Sequence, residues 1–297
     1  MLTVGTFDGI HRGHRYLFDL VKKRAAEQDA LSVMMTFEPH PQLVIRQGQS
    51  FLDLLTTIEE KINILENVGL DVLVITNFTK AFATLEAEQF IKNMLVDGLN
   101  TQHIIIGKNH FFGRDRRGNY QLLQELESQF GYKVEAVDPL VHDGHTVSSS
   151  RIRHLLTSGN VETATELLGR PYSVTGRVVH GKKVGQQLGF PTANVRPYSR
   201  YKLIPQVGIY ATRIRIDSTW YDSVTYIGHR PTFDGEERLI EVHIFDWDKD
   251  LYDKNVQVTF LKFIRAEEKF SNRDELIAAI STDTNQVKTF FAQGGFN

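Results

Sequence analysis

The chain of 297 residues contains no cysteine, which excludes disulfides, thiolate metal sites and cysteine nucleophiles. It also lacks any apolar run that approaches the roughly 20 residues of a membrane span. Its first residues do not show the basic segment and apolar stretch of a secretory signal. These absences predict a cytoplasmic protein with no membrane partner.

An excess of charge of either sign is missing as well. Lysine and arginine together number 34, aspartate and glutamate 36, and the formal net charge is -2 without any basic block. The charge therefore gives no reason to expect a nucleic-acid partner. The Walker A pattern GxxxxGK(S/T) does not occur, so a P-loop kinase is not supported.

The length suffices for two domains with separate cores, and residues 5–14, GTFDGIHRGH, organise the first. A short apolar strand enters this stretch, and a helical pattern leaves it from near Gly13. A strand, a glycine turn and a helix N-terminus present free N–H groups and a positive dipole end, which suit a phosphate. Because His11 and His14 are three residues apart, they share one helix face and can together neutralise a polyphosphate.

Two other interpretations of this histidine pair stay open from its spacing alone. The pair can belong to a metal site, or it can be an ordinary polar surface. No third ligand cluster is evident nearby, and the preceding strand and turn are punctuated by glycine. Both features favour phosphate chemistry.

The first half of the chain alternates strands with amphipathic helices. Strands are predicted at 31–37, 71–75, 103–106 and 133–137, and helices at 85–96, at 120–130 and from a capping box at Thr57 and Glu60 to Gly69. This order predicts a doubly wound α/β domain with a parallel sheet. Ligands bind beyond the carboxyl ends of such strands, and the motifs at 5–14, 38–41 and 107–113 all fall there. One shared site is therefore expected.

A fourth motif, SSSRIR, occupies residues 148–153. Serines at a helix start can cap it, which is a structural explanation for at least one of them. Arg151 and Arg153 are two residues apart and do not share a helix face. At most one of them is therefore expected to point at a given phosphate.

GTFDGIHRGH, TFEPHP, GKNHFFG and SSSRIR, in this order, resemble the adenylyltransferase module of bacterial bifunctional riboflavin kinase/FAD synthetases. The sequence departs from the usual residues of that family at Lys108 and His110, and Ser150 replaces its threonine. The resemblance implies adenylyl transfer from ATP, with His11 and His14 as catalytic residues. It also implies nucleotide contacts at Gly5, Phe7, Asp8, Gly9, Asn109, Ser149, Ser150 and Arg153, and flavin contacts at His40 and His110.

A change of pattern marks the second half. A helix closes at Gly169 and Pro171 follows, which predicts a boundary near residue 170 between domains 1–170 and 171–297. Beyond it, strands are predicted at 172–180, 208–216, 220–227, 238–245 and 256–264 without long helices between them. This pattern indicates an antiparallel barrel or sandwich. Helices are expected over about 273–280 and through Phe291.

Residues 181–194, GKKVGQQLGFPTAN, contain a glycine-rich loop. Its backbone can wrap phosphates, with Lys182 or Lys183 supplying charge, although glycines alone are equally typical of a surface turn. If the residues after it are extended, the Thr192 hydroxyl and the Asn194 amide oxygen share one face. Two neutral hard oxygens beside a phosphate loop suit Mg²⁺. The three glycines of this loop are Gly181, Gly185 and Gly189.

A candidate base lies in the segment LIEVHIF at 239–245. Ile240, Val242 and Ile244 form its apolar face, and Glu241 and His243 project from the other. Glu241 can be an ordinary exposed strand residue. Placed near a substrate hydroxyl, it would instead serve as general base for phosphoryl transfer.

GRVVHGKKVGQQLGFPTANV, IGHRPTF, IEVHIFDWDKDLY and IRAEEKF resemble the riboflavin kinase module of the same family. Asp253 stands where relatives commonly have glycine. The resemblance implies Mg²⁺ and ATP at Thr192 and Asn194, and Glu241 as base on the riboflavin 5′-hydroxyl. It further implies nucleotide contacts at Gly181, Lys182, Gly185 and Gly189, and a flavin contact at Arg265.

The two resemblances together predict an enzyme that phosphorylates riboflavin to FMN and adenylylates FMN to FAD. ATP is the co-substrate of both steps, and ADP and pyrophosphate are the by-products. A single-activity enzyme with one decayed module and a non-catalytic flavin-binding regulator are the alternatives. A regulator predicts loss of Glu241 or of the histidine pair, and both are present.

Overall fold

The computed structural model describes residues 1–45, 53–181, 184–232 and 235–295. The chain forms two compact units, Met1–Ser149 and Ser150–Asn297. The boundary expected near residue 170 stays a prediction. Within the described residues, no helix combines the length and apolar content needed to cross a membrane.

The first unit is built on a parallel five-stranded sheet in the order β3-β2-β1-β4-β5. Neighbouring strand residues alternate between two hydrophobic clusters, so that Met34 and Ile105 pack in one and Met35 and Ile104 in the other. Both faces of the sheet are therefore covered, and the predicted doubly wound α/β fold is confirmed. The elements are β1 (Leu2–Val4), α1 (Arg12–Glu27), β2 (Val33–Glu38), α2 (Pro41–Ile45), α3 (Ile58–Leu65), β3 (Val72–Asn77), α4 (Lys80–Ala83), α5 (Ala87–Gln89), a π-helix (Phe90–Gly98), β4 (His103–Gly107), a 3₁₀ turn (Arg114–Arg116), α6 (Tyr120–Phe130), β5 (Lys133–Val137), β6 (Val141–His142) and β7 (His145–Thr146).

Three details of the first unit differ from the sequence expectation. The helix predicted at 85–96 is a short α5 followed by a π-helix, a wider helix with i→i+5 hydrogen bonds. The helix opened by the Thr57–Glu60 capping box, which is present, ends at Leu65 and not at Gly69. The small β6–β7 hairpin was not predicted, since strands of two residues carry no periodicity.

The second unit is built on a closed antiparallel barrel in the order β10-β11-β12-β9-β8-β13, which confirms the barrel alternative. A single helix, capped by the Asn272 side chain, replaces the two helices predicted near the end of the chain. α8 packs on β8 and β13 and ends at Gly169, whose φ of 71° is the left-handed conformation of a helix-ending glycine. The elements are α7 (Ser149–Thr157), α8 (Val161–Leu168), β8 (Tyr172–Val179), α9 (Val184–Gln187), β9 (Ala193–Pro197), β10 (Gly208–Ile216), β11 (Thr219–Thr232), β12 (Gly235–Ile244), β13 (Asn255–Arg265) and α10 (Arg273–Ala292).

Candidate active sites

The first candidate site lies at one edge of the parallel sheet. β1 is the central strand, with β2 and β4 as its neighbours. The carboxyl ends of these three strands lead into residues 5–14, 38–41 and 107–113. The three motifs therefore share the edge at which ligands of such sheets bind, as their positions in the sequence predict.

The turn after β1 contains unusual backbone conformations. Phe7 and Ile10 have positive φ angles of 46° and 39°, and Gly9 has a φ of 88°. Positive φ is costly for residues with a side chain and persists only where the surroundings enforce it. The Phe7 and Ile10 side chains are buried in the core, which supplies that enforcement. The turn is thus held in one conformation directly before α1.

The two histidines lie together at the N-terminus of α1. His11 is the N-cap residue, and its Nδ1 accepts a hydrogen bond of 3.3 Å from the backbone N–H of His14. Their rings stack with centroids 3.6 Å apart, and the Phe7 ring meets His14 edge-on at 5.2 Å. A Cβ on Gly13 would lie only 3.2 Å from His11 Nδ1, so glycine leaves room for this ring. Both imidazoles therefore lie at the helix start, where backbone N–H groups point away from the helix.

Asp8 ties this turn to a distant segment. Its buried carboxylate accepts hydrogen bonds from the backbone N–H groups of Leu55 (3.1 Å) and Thr56 (3.0 Å). The Thr56 hydroxyl in turn accepts from the Gly9 N–H at 3.0 Å, and the Ser149 hydroxyl donates to the Asp8 carbonyl at 2.8 Å. These contacts give Asp8 and Ser149 a role in holding the turn. Their predicted contacts with nucleotide stay predictions.

Lys61 was not singled out from the sequence. Its buried ammonium donates to the Thr6 carbonyl at 2.6 Å and to the Thr36 hydroxyl at 3.1 Å, joining the ends of β1 and β2. Burial lowers the pKa of Lys61, whereas the nearby carboxylates of Asp8 and Glu38 raise it. Its burial could have been predicted from its position four residues before Leu65, which places it on the core face of α3.

The loop after β4 carries the residues that depart from the family pattern. His110 is half-buried, its Nε2 is buried, and this atom makes no hydrogen bond to the described residues. Burial and the nearby Arg116 guanidinium lower the pKa of His110 to about 4, so its ring is neutral at pH 7. Asn109 beside it is exposed. At the end of β2, buried His40 accepts a hydrogen bond of 3.2 Å at Nδ1 from the Gln42 N–H.

Two predicted phosphate-binding residues lie on α7 in the second unit. Ser150 is exposed and Arg153 is half-buried. Their predicted contacts with nucleotide stay predictions.

The second candidate site lies at the glycine-rich loop of the barrel unit. A Cβ on Gly181 would come within 2.2 Å of the Asn194 amide nitrogen, and a Cβ on Gly185 within 2.4 Å of the Phe190 carbonyl oxygen and 3.1 Å of the Thr192 hydroxyl. Glycine at these positions therefore lets the loop lie directly against the two predicted metal ligands. The third loop glycine, Gly189, has a φ of 88° and supplies a turn. Lys182 and Lys183 lie outside the described residues.

Two cavities flank Thr192. The first has a volume of about 280 Å³ and a largely apolar wall, and Glu241, His243 and Arg265 also line it. The second has a volume of about 430 Å³. Thr192 lines both cavities and therefore lies between them. Apolar residues of the first wall include Leu188, Phe190, Ile209, Val224, Phe270, Leu276 and Ile280, and residues of the second include Gln186, Pro191, Ala193, Trp247, Asp250 and Tyr252.

Glu241 lies on β12 in the first cavity. It pairs with Asn194 across the β12–β9 ladder and with Tyr226 across the β11–β12 ladder. Burial raises the pKa of its carboxyl group. A partly desolvated carboxylate beside the predicted metal ligands is a suitable proton acceptor.

An ion pair between half-buried Arg265 and buried Asp283 forms part of the same cavity. The Arg265 guanidinium donates two hydrogen bonds of 2.8 Å to the Asp283 carboxylate, which is 5% exposed on α10. This bidentate contact raises the pKa of Arg265 and fixes its orientation. Asp283 was missed from the sequence. Its burial could have been predicted, because it lies within the apolar stripe of Leu276, Ile280 and Val287, whose spacing predicts the buried face of a helix.

Comparison with known proteins assigns both units. A family model for FAD synthetase matches residues 1–151, and a model for riboflavin kinase matches residues 168–291. The bifunctional riboflavin kinase/FMN adenylyltransferase of Buchnera aphidicola subsp. Schizaphis graminum is 37% identical over 295 residues, which cover 98% of this chain and 93% of the relative. The protein of that name from Bacillus subtilis is 36% identical over 296 residues, which cover 98% and 92%.

A solved structure agrees along nearly the whole chain. The crystal structure described as a macrolide-efflux protein from Streptococcus pneumoniae matches with a TM-score of 0.86 at 32% identity, over 97% of this chain and 93% of that one. Both family matches occur in one chain, and the curated relatives are similar over almost its full length. The chain therefore belongs to the family of bifunctional riboflavin kinase/FMN adenylyltransferases.

Proposed function

We propose that the barrel unit transfers the γ-phosphoryl group of ATP to the 5′-hydroxyl of riboflavin, giving FMN and ADP. The observation that carries this assignment is Thr192, which lines both cavities at the glycine-rich loop. The largely apolar first cavity suits the flat flavin ring, with Arg265 at its wall. The second cavity takes ATP, and Gly181, Lys182, Gly185 and Gly189 contact the phosphates.

Magnesium fits the donors at this junction. Thr192 and Asn194 offer neutral hard oxygens, and glycine at positions 181 and 185 lets the loop backbone approach both residues closely. When bound there with ATP, Mg²⁺ would neutralise charge on the phosphates. Glu241 accepts the proton of the riboflavin 5′-hydroxyl as that oxygen attacks the γ-phosphorus. Its raised pKa, the result of burial, makes it a stronger base than an exposed glutamate.

The first unit then adenylylates FMN. The FMN phosphate attacks the α-phosphorus of ATP, and pyrophosphate leaves. No strong base is needed, because the attacking phosphate is already anionic. His11, His14 and the N–H groups at the start of α1 stabilise the departing negative charge. The turn residues Gly5, Phe7, Asp8 and Gly9, together with Asn109 and Ser149, bind ATP, and His40 and His110 contact the flavin. The nucleotide contacts of Ser150 and Arg153 stay predictions from the sequence.

One experiment tests both assignments. Purified protein is incubated with riboflavin, ATP and Mg²⁺, and the flavins are resolved by chromatography. FMN is expected first and FAD afterwards, and removal of divalent cations with a chelator should stop FMN formation. Accumulation of FMN without FAD, or FAD formation only from supplied FMN, would indicate a single-activity enzyme, and no conversion would indicate a flavin-binding regulator. We infer a cytoplasmic location.

A further inference from the structure

The imidazole of His243 is bonded to the chain segment that carries Thr192. Its Nδ1 lies 2.8 Å from the carbonyl oxygen of Pro191. A carbonyl oxygen can only accept a hydrogen bond, so Nδ1 carries the proton and donates it. The neighbour of this carbonyl along the chain is Thr192, which lines both cavities.

This contact lies where regular strand pairing stops. The β12–β9 ladder consists of two pairs, Glu241 with Asn194 and Val242 with Ala193. Pro191 has no N–H group, so it cannot donate the backbone hydrogen bond by which a strand residue pairs with its neighbour. At this point the His243 side chain replaces the strand neighbour, because it donates a hydrogen bond to the Pro191 carbonyl oxygen just beyond the end of the ladder.

The orientation of the His243 ring is itself restrained. The Phe190 ring meets it edge-on with centroids 5.7 Å apart, and the Phe245 ring does so at 5.9 Å. His243 is two residues from Glu241 on one strand, so both side chains project from the same face of β12, and both line the first cavity. One strand face thus carries the candidate base and the group that holds the neighbouring segment.

We propose that His243 is a positioning residue for riboflavin phosphorylation, acting through its hydrogen bond to the Pro191 carbonyl. The bond fixes the backbone before Thr192 and so sets the distance between the nucleotide held at Thr192 and the hydroxyl activated by Glu241. His243 neither accepts the substrate proton nor binds phosphate. This inference rests on the proposed kinase function of the barrel, and it names a residue whose effect falls on geometry.

Three substitutions separate this role from its alternatives. His243→Asn places an amide N–H near the position of Nδ1, His243→Gln places one near the position of Nε2, and His243→Leu removes both. We expect His243→Asn to retain kcat for riboflavin phosphorylation within about fivefold. We expect kcat to fall about 10- to 100-fold in the other two variants, since displacements of about 1 Å at a reacting centre cost on this order.

Two further measurements define the outcome. FAD formation from supplied FMN should be unchanged in all three variants, and riboflavin affinity, followed by the change in flavin fluorescence, should change much less than kcat. An undiminished kcat in His243→Leu would overturn the proposal. Rescue by Gln but not Asn would also overturn it, because it assigns the effect to Nε2. Loss of riboflavin binding in every variant would do the same, because His243 would then serve only to form the cavity. Failure of the kinase proposal itself would appear separately, as absence of FMN formation by the unmodified chain.

Discussion

The imidazole rings of His11 and His14 stack with their centroids 3.6 Å apart and their planes inclined by 18°. Because His11 Nδ1 accepts the hydrogen bond from the His14 N–H, this nitrogen carries no proton in the observed arrangement. The stacked rings lie at the N-terminus of α1, where the helix dipole favours an anion. This placement supports the proposal that the pair faces a ligand of high negative charge density, such as a polyphosphate.

Replacement of one ring tests this arrangement. His14→Ala is expected to lower the rate of FAD formation from supplied FMN by about 100- to 1000-fold, the range typical for loss of one charge-stabilising group. Riboflavin phosphorylation should be unchanged, because its residues lie in the second unit. His145→Ala, at an exposed position of the first unit, is the matched control. Normal FAD synthesis by His14→Ala would refute the role of the pair.

Replacement of the candidate base should have the opposite selectivity. Glu241→Gln keeps the size of the side chain and removes its basicity, so riboflavin phosphorylation is expected to fall about 100- to 10,000-fold. FAD formation from supplied FMN should persist. The measurement is the rate of each step by flavin chromatography, with the exposed Glu162→Gln as control. Equal loss of both activities would contradict the division of labour between the units.

The raised pKa of Glu241 predicts a pH dependence. The base acts in its deprotonated form, so kcat/KM for riboflavin should fall as the pH drops through this raised pKa, above the usual range of glutamate. The raised pKa of Glu241 also makes the free energy of unfolding depend on pH. A pKa higher in the folded than in the unfolded state contributes stability below the unfolded value, which is lost as pH rises through the folded value. A kinase profile that stays flat down to the ordinary pKa of glutamate would contradict this prediction.

Removal of the buried ammonium of Lys61 is expected to destabilise the first unit, because its hydrogen-bond acceptors and the nearby carboxylates of Asp8 and Glu38 lose their partner. Lys61→Met removes two hydrogen bonds, to the Thr6 carbonyl and the Thr36 hydroxyl, and should lower the free energy of unfolding of this unit by about 1–3 kcal/mol. The change is measured by urea denaturation. FAD formation should also slow, because the turn after β1 loses its support. Lys23→Met, at an exposed position of α1, should leave both unchanged, and an equal midpoint for the two variants would count against this role.

Asp253 offers a comparison of backbone strain. Its φ of 65° lies in the left-handed region, and its carboxylate forms an exposed ion pair with Arg177 at 3.2 Å. Asp253→Gly and Asp253→Ala both remove this pair, which is worth at most about 1 kcal/mol, but only glycine relieves the strain. The glycine variant should therefore be more stable than the alanine variant by about 1–2 kcal/mol in thermal or urea unfolding. Equal stability of the two would show that the position is unstrained.

The sequence predicted those features whose cause is local. The helix at 120–130 has the predicted bounds because Asn119 caps its start and Gly131, with a φ of 75°, ends it. Barrel strand β10 has the predicted bounds too, since its side chains alternate between buried and more exposed positions. The π-helix was missed because its apolar spacing is nearly that of an α-helix.

The unpredicted parts of the sites depend on residues that are distant in the chain. The motif around Asp8 predicts a ligand contact, but the hydrogen bonds of its carboxylate to Leu55 and Thr56 join segments about 47 residues apart. Lys61 and Asp283 contradict the simple rule that charge lies at the surface, because each finds its partners only in the folded chain. Closure of the barrel likewise follows from the pairing of β10 with β13, which no local pattern reports.

The two sheets differ in their exposure to association between molecules. Among the described residues, β3 and β5 end the parallel sheet, and each has one row of backbone groups without a strand neighbour in that sheet, whereas the barrel closes on itself. Unpaired strand edges are templates for pairing with another chain. Aggregation during heating or refolding should therefore begin in the flavin-adenylylating half, and a charged substitution at Ile75, which is 42% exposed on β3, is a simple means of suppressing it.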